Sequence, residues 1–353
     1  MSERSDRAAA ILAALPPGTV ELGRRHLGLA ERRLDGMSVL DCSSAAVEAH
    51  LVRPIELADE WPDPTDPLPI GEGAIHADLI DDDRELFGAL RETLSTDSVT
   101  GLDAETLATE AQACRLAVTP YRRRCRSASS HAPARVEASA SIPPGAVGPR
   151  GVAPPEARVV DLSALWAGPL ATALLAKVGA EVIKVDPSCR PDAFAEHPRL
   201  YEHLNHRKEI VDLDLRVDDD RRRFEALVAS ADLVVDSFSR RVMPNLGYGP
   251  KQLRRLAPHV RTLSIRAFEP SSPQADWVAY GPGVHAMSGL AEQRPVDGRR
   301  APFRPAPIAY PDAVAGMSAF AVAVELLADS GQAEHRTVAL STTIAPLLSV
   351  HDG

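Results

Sequence analysis

Residues 159–186 read VVDLSALWAGPLATALLAKVGAEVIKVD, and this stretch decides the fold class. Residues 157–162 (ARVVDL) form a short apolar run of strand type. Residues 168–177 carry leucine and alanine at helical spacing, with Pro169 where a first helical turn accepts it. Gly179 suits the left-handed residue that ends a helix, and residues 181–186 (EVIKVD) are a second strand run. Strand, helix and strand in immediate succession make a βαβ unit with two parallel strands.

The same alternation continues downstream. Strands are expected at 210–215, 232–235 and 262–265, with helices at 218–229 and 250–256 between them. This pattern predicts an α/β fold, a Rossmann-like parallel sheet with flanking helices. Upstream the character changes. Helices are expected at 7–15, ended by Pro16-Pro17-Gly18, and at 81–94 and 103–113, with a proline-rich turn region at 61–69. From Arg122 to Ala157 the chain reads RRRCRSASSHAPARVEASASIPPGAVGPRGVAPPEA, rich in Ser, Ala, Pro, Gly and Arg, and no helical or strand period survives. The expected organisation is therefore a mainly helical segment 1–121, a flexible linker 122–156, and a Rossmann-like domain 157–353.

Composition narrows the function classes. The chain has 353 residues, 44% hydrophobic and 25% charged, which is ample for a globular core. Its net charge of −10 argues against a general nucleic-acid binder, which carries a basic face. No window approaches the roughly 18 uninterrupted apolar residues of a membrane span, and the N-terminal MSERSDRAAAILAAL lacks a cleavage signature. The expectation is a cytoplasmic chain without membrane or nucleic-acid partners. Cys42, Cys114, Cys125 and Cys189 form no C-x-x-C pair, and His203 and His206 lack a carboxylate companion, so no metal site is expected. Lysine occurs only at Lys177, Lys184, Lys208 and Lys251; the remaining cations are arginines, which suit bidentate phosphate contacts.

The turn after the first strand tests the ligand. A dinucleotide fold needs G-x-G-x-x-G there, whereas Ser163-Ala-Leu-Trp-Ala-Gly-Pro169 holds one glycine. Asp186 does stand where a ribose-binding acid would. An NAD-dependent oxidoreductase is thus poorly supported. Trp166 either walls a pocket for an organic substrate or packs beneath the loop.

Five blocks in order carry a resemblance: 159–186, LNHRKEIVDLDLR (204–216), ADLVVDSFSRRVMPNLG (231–247), SIRAF (264–268) and HAMSGL (285–290). Together they resemble class III CoA-transferases, a family that includes carnitine-type CoA-transferases and 2-methylacyl-CoA racemases. The resemblance implies coenzyme A as a substrate with no permanently bound cofactor, acyl-CoA and carboxylic acid partners, and a homodimer of interlocked protomers. It implies CoA contacts at Leu165, Trp166 and Ala167 in the turn, and at Ser237, Phe238, Arg240 and Arg241 after the fourth strand. Arg216 and Arg266 stand where the family's transferases often carry basic residues. The family's asparagine-phenylalanine pair is here Ser237-Phe238, and a usual arginine is Asn245, with Arg240 and Arg241 arising in the same loop. These departures leave open a non-catalytic, CoA-binding member.

Residues 307–317 read PIAYPDAVAGM. Asp312 precedes a long apolar helical run, so by position alone it is a helix N-cap. The resemblance implies more: the aspartate four residues before this block's glycine, Gly316, is the nucleophile that forms a covalent aspartyl intermediate. The two roles are compatible, since helix N–H groups also hold oxyanions. The racemase's proton-transfer histidine would fall at residue 280, which is Tyr280; His285 lies nearby. A two-base racemase is therefore disfavoured. Finally, residues 103–120 resemble a late helix and turn of the family, which implies that 1–121 are its C-terminal part placed first.

Overall fold

The computed structural model describes residues 2–34, 40–57, 66–70, 73–79, 81–97, 103–123, 151–292, 303–329 and 334–350. Most of the expected linker, at 124–150, and part of the proline-rich turn, at 61–65, lie outside the described residues.

The N-terminal segment contains α1 (Ser2–Ala14), α2 (Thr19–Arg33), α3 (Ser44–Leu57), β1 (Leu68–Ile70), β2 (Gly73–Ala77), α4 (Asp81–Asp97), α5 (Ala104–Ala113) and β3 (Val118–Pro120). Asp103 caps α5, its carboxylate accepting the Thr106 N–H. The three strands form a small antiparallel sheet in the order β1-β2-β3. This sheet was not read within the segment expected to be mainly helical: strands of three to five residues, two of them containing proline, leave too little alternation to read.

The second half runs β4 (Arg158–Leu162), α6 (Ala167–Lys177), β5 (Glu181–Val185), α7 (Pro198–Asn205), β6 (Glu209–Val211), α8 (Asp218–Ser230) and β7 (Leu233–Asp236). It continues with α9 (Val242–Asn245), α10 (Pro250–Leu256), β8 (Arg261–Arg266), α11 (Gly281–Ser288), α12 (Tyr310–Ala328), β9 (His335–Ala339), α13 (Leu340–Ile344) and α14 (Pro346–Val350). All six strands pair in parallel in the order β6-β5-β4-β7-β8-β9. The chain moves outward from β4 to β6, then returns to the other side of β4 at β7. The C-terminal ends of β4 and β7 therefore flank the topological switch point, where open α/β sheets bind ligands.

Strand alternation divides the core. Val159, Val182, Leu233 and Leu263 enter one apolar cluster with α6 and α12. Val160, Val185 and Val234 enter another with Phe224 and Leu253 from α8 and α10. Both faces of the sheet are thus covered, which explains its near-continuous valine and isoleucine runs.

The central helix of the first cluster is α12. It is 19 residues long and apolar enough to cross a membrane by composition, yet it lies in the core, packed by α2, α6, α11 and α13. Gly316 makes the crossing with α6 possible: a Cβ there would lie 2.7 Å from the Ala167 carbonyl. At the next residue of α12, Met317 packs on Gly23 of α2, where a Cβ would likewise come too close to Val47 and Met317. Leu22, Leu27, Ala30 and Leu51 of the N-terminal segment belong to the same cluster, so the two parts of the chain share one core. A second seam joins them by hydrogen bonds: Gln112 donates to Val278 O at 2.8 Å and accepts from Val278 N at 2.7 Å.

Candidate functional site

Asp312 lies in the first turn of α12, but the N-cap of that helix is Ala309, which offers no side-chain cap. The expected capping role falls on a different helix. One oxygen of Asp312 accepts the Gly281 N–H at 2.8 Å, the first residue of α11. Only glycine permits this approach, because a Cβ on residue 281 would sit 2.0 Å from that oxygen. Asp312 itself is half-buried. Burial pushes its carboxyl up to about 7; the Gly281 N–H opposes this, and the Asp78 carboxylate of the N-terminal segment reinforces it. The result is a carboxylate that is poorly solvated yet hydrogen-bonded at the N-terminus of α11. Such a group is a stronger nucleophile than one in water, and the adjacent N–H groups can stabilise an oxygen that gains charge.

The turn after β4 leads into α6, whose first residue, Ala167, contacts Gly316 one helical turn beyond Asp312 on α12. Leu165 adopts φ +65°, a left-handed conformation that a branched residue avoids, at a cost of about 1–3 kcal/mol. It is held from both sides. Asp192 accepts its N–H at 3.0 Å, and Ser237 Oγ accepts the Ala164 N–H at 3.1 Å.

Behind the turn lies a buried polar network that sequence reading missed. Asp161, within β4, accepts hydrogen bonds from Ser163 Oγ at 2.5 Å, Thr172 Oγ1 at 2.6 Å and Lys208 Nζ at 3.0 Å. Lys184 Nζ donates to Ser163 O at 2.6 Å and pairs with Asp192 at 3.3 Å. Burial works against the Asp161 charge, but Lys208, Lys184 and the two hydroxyls outweigh it and hold the carboxyl at about 2. Burial also lowers Lys208 to about 8, with Asp161 partly offsetting the shift. The signal was present in the sequence: a charge inside each of the apolar runs VVDL and VIKV must find a partner.

The residues expected to hold CoA separate into groups. Leu165, Ala167 and Ser237 sit at the switch point. Trp166 is 2% exposed and belongs to the core, so it packs beneath the loop rather than walling a pocket. Phe238 packs on the second apolar cluster. Arg240 and Arg266 line a cleft of about 500 Å³ with Asp236, Lys251, Arg254 and His335. There Arg266 pairs with Asp236 at 2.5 Å. Arg241 turns away from this cleft and pairs with Asp276 at 2.6 Å. Arg216 is exposed in the loop after β6, paired with Asp214 at 2.8 Å, and does not line this cleft. His285 offers no free base: Nδ1 lies 3.0 Å from Tyr310 Oη and Nε2 3.0 Å from Arg304 O. Burial lowers it to about 4.

Comparison with known proteins identifies relatives of the sheet domain. Residues 156–351 match CoA-transferase family III. The acetyl-CoA:oxalate CoA-transferase of Acetobacter aceti is 30% identical over 139 residues, covering 37% of this chain and 36% of that protein. The succinyl-CoA:mesaconate CoA-transferase of Haloarcula hispanica is 36% identical over 125 residues, 31% of each chain. A hypothetical protein from Mycobacterium tuberculosis of solved structure superposes with a TM-score of 0.51 at 25% identity, covering 58% of this chain and 57% of that one. The matches thus span about a third of the length of these two relatives. The six-stranded parallel sheet with its flanking helices, matched over more than half the chain, makes this protein a member of CoA-transferase family III.

Proposed function

We propose that the chain transfers CoA from an acyl-CoA to a carboxylic acid through Asp312. The observation that carries this reading is the carboxylate placed at the Gly281 N–H, with burial raising its pKa. The Asp312 carboxylate attacks the thioester carbonyl, forming a mixed anhydride as the CoA thiolate leaves. The thiolate then attacks the Asp312 carbonyl, giving an aspartyl-CoA thioester and releasing the donor acid. The acceptor carboxylate displaces the thiolate to form a second anhydride. Attack by the thiolate on the acceptor's carbonyl yields the new acyl-CoA and restores Asp312. Each oxyanion forms near the N-termini of α11 and α12, where N–H dipoles favour it.

The nucleotide end of CoA is assigned to the switch point and the adjoining cleft, with Leu165, Ala167 and Ser237 at one end and Arg240 and Arg266 at the other. Arg216 and Arg241 take no part in this cleft. The N-terminal segment is read as the family's C-terminal part placed before the sheet, a reading supported by the core that α2 shares with α12. A homodimer follows from the resemblance, and light scattering on the eluting protein tests it: a monomeric mass at micromolar concentration refutes it.

Hydroxylamine traps the covalent steps. Incubation with a panel of acyl-CoA thioesters and hydroxylamine, then peptide mass analysis, should show a hydroxamate on Asp312 that vanishes in Asp312→Asn. CoA binding without any such adduct would favour a binding-only family member, the reading that the Ser237 and Asn245 departures support.

A further inference from the structure

A second concavity, of about 260 Å³, lies where the N-terminal segment meets the sheet domain; Arg115, Gln112, Arg241, Asp276 and Trp277 line it. It backs onto the larger cleft through two loops. Arg240 and Ala275 face the cleft, while their neighbours Arg241 and Asp276 face the pocket.

Arg115 is the unusual element. Its N–H bonds Gln112 O, and the Leu116 N–H bonds Ala111 O, the paired bonds that end a helix around one left-handed residue. That position favours glycine, yet here an arginine adopts φ +65°. Its guanidinium reaches across the seam to donate to Asp276 O at 2.9 Å. Arg241 approaches from the other side and binds the Asp276 carboxylate at 2.6 Å. Arg240 adds its field to the same carboxylate. Three arginine charges thus surround one aspartate, leaving an excess of two positive charges on a chain whose net charge is −10. A strained cation held in such a cluster is better explained by an anion than by the fold, since glycine would end α5 without strain. A forked guanidinium pair matches the oxygens of a phosphate.

We propose that the pocket between Arg115 and Arg241 binds a phosphate group, and that the N-terminal segment takes part in ligand binding through Arg115. Assigning the phosphate to CoA, whose 3′-phosphate would cross from the cleft to the pocket, rests on the transferase reading. The phosphate site itself does not.

Titration calorimetry of the full chain with CoA, 3′-dephospho-CoA and inorganic phosphate tests both parts. Arg115→Gly should keep or raise the melting temperature, because it relieves the left-handed strain, and should weaken binding of CoA and phosphate by about tenfold or more. Arg241→Gln should weaken them similarly, while dephospho-CoA binds the wild type and both variants alike. If the variants lose inorganic phosphate but keep wild-type CoA affinity, the site stands and serves a separate phosphorylated ligand. If the wild type binds phosphate through these arginines but no CoA, the site stands and the CoA reading fails. Folded variants that bind both CoA and phosphate as tightly as the wild type overturn the proposal.

Discussion

Asp312 owes its chemistry to what surrounds it, and the sign of each effect can be followed. Its carboxyl sits at about 7 in the folded chain against an ordinary 3.8, with burial the largest cause. Between those values the folded state holds a proton that the unfolded state has released, so Asp312 makes stability fall as pH rises through that window. Asp312→Asn should therefore stabilise the protein above pH 7, on the order of 1–3 kcal/mol, in urea melts at pH 8.5. The same change should reduce transfer by about a thousandfold or more. Under the proposed mechanism the carboxylate is the nucleophile, so kcat/KM for the acyl-CoA should rise with pH and inflect near 7; a flat profile from pH 5.5 to 9 would refute this environment. Gly281→Ala tests the geometry separately. The added methyl must displace the Asp312 oxygen, and a fall of about a hundredfold in kcat is expected with the melting temperature little changed. At this scale the sequence set Asp312 at the start of a long apolar helix but misplaced its role as a cap. An aspartate directly after a proline and before an apolar helical run resembles an N-cap, and only tertiary packing shows its oxygen reaching α11.

Among the elements, those of the parallel sheet were the most legible. The helix expected at 250–256 is α10 to the residue, and β4, β5 and α8 fall within a residue of expectation, because buried parallel strands read as unbroken apolar runs. The third strand was read too long. Leu213 and Leu215 are buried and continue the apolar pattern, but the ladder ends at Val211. Burial and pairing are different properties, and the pattern reports burial. Helices α2 and α3 went unread: α2 starts at a left-handed Gly18 without a side-chain cap, and α3 carries Pro54 inside it. The buried network beneath the β4 turn yields its own prediction. Asp161→Asn strands Lys208 without its counter-ion in a fully enclosed site. A loss of about 3–5 kcal/mol is expected, seen as a lower urea midpoint with an unchanged slope.

For the whole molecule, the shared core predicts that neither part folds well alone. Residues 151–353 expressed without the N-terminal segment would bare the side of α12 that α2 covers, and should aggregate. Supplying residues 1–123 as a separate chain should restore a two-chain complex that co-purifies through a tag on one part; a well-folded, monomeric 151–353 would contradict this. The junction of α2 with α12 has a temporal consequence as well. Met317 meets Gly23 across roughly 290 residues of chain, and at about 5–20 residues per second a ribosome needs roughly 15 to 60 s to synthesise that interval. Throughout that time the apolar stripe of α2, with Leu22 and Leu27, waits uncovered in the cell. The order in which the chain is made thus turns an ordinary helix packing into a period of exposure, during which a chaperone, or a second nascent copy, competes for the face that α12 finally covers.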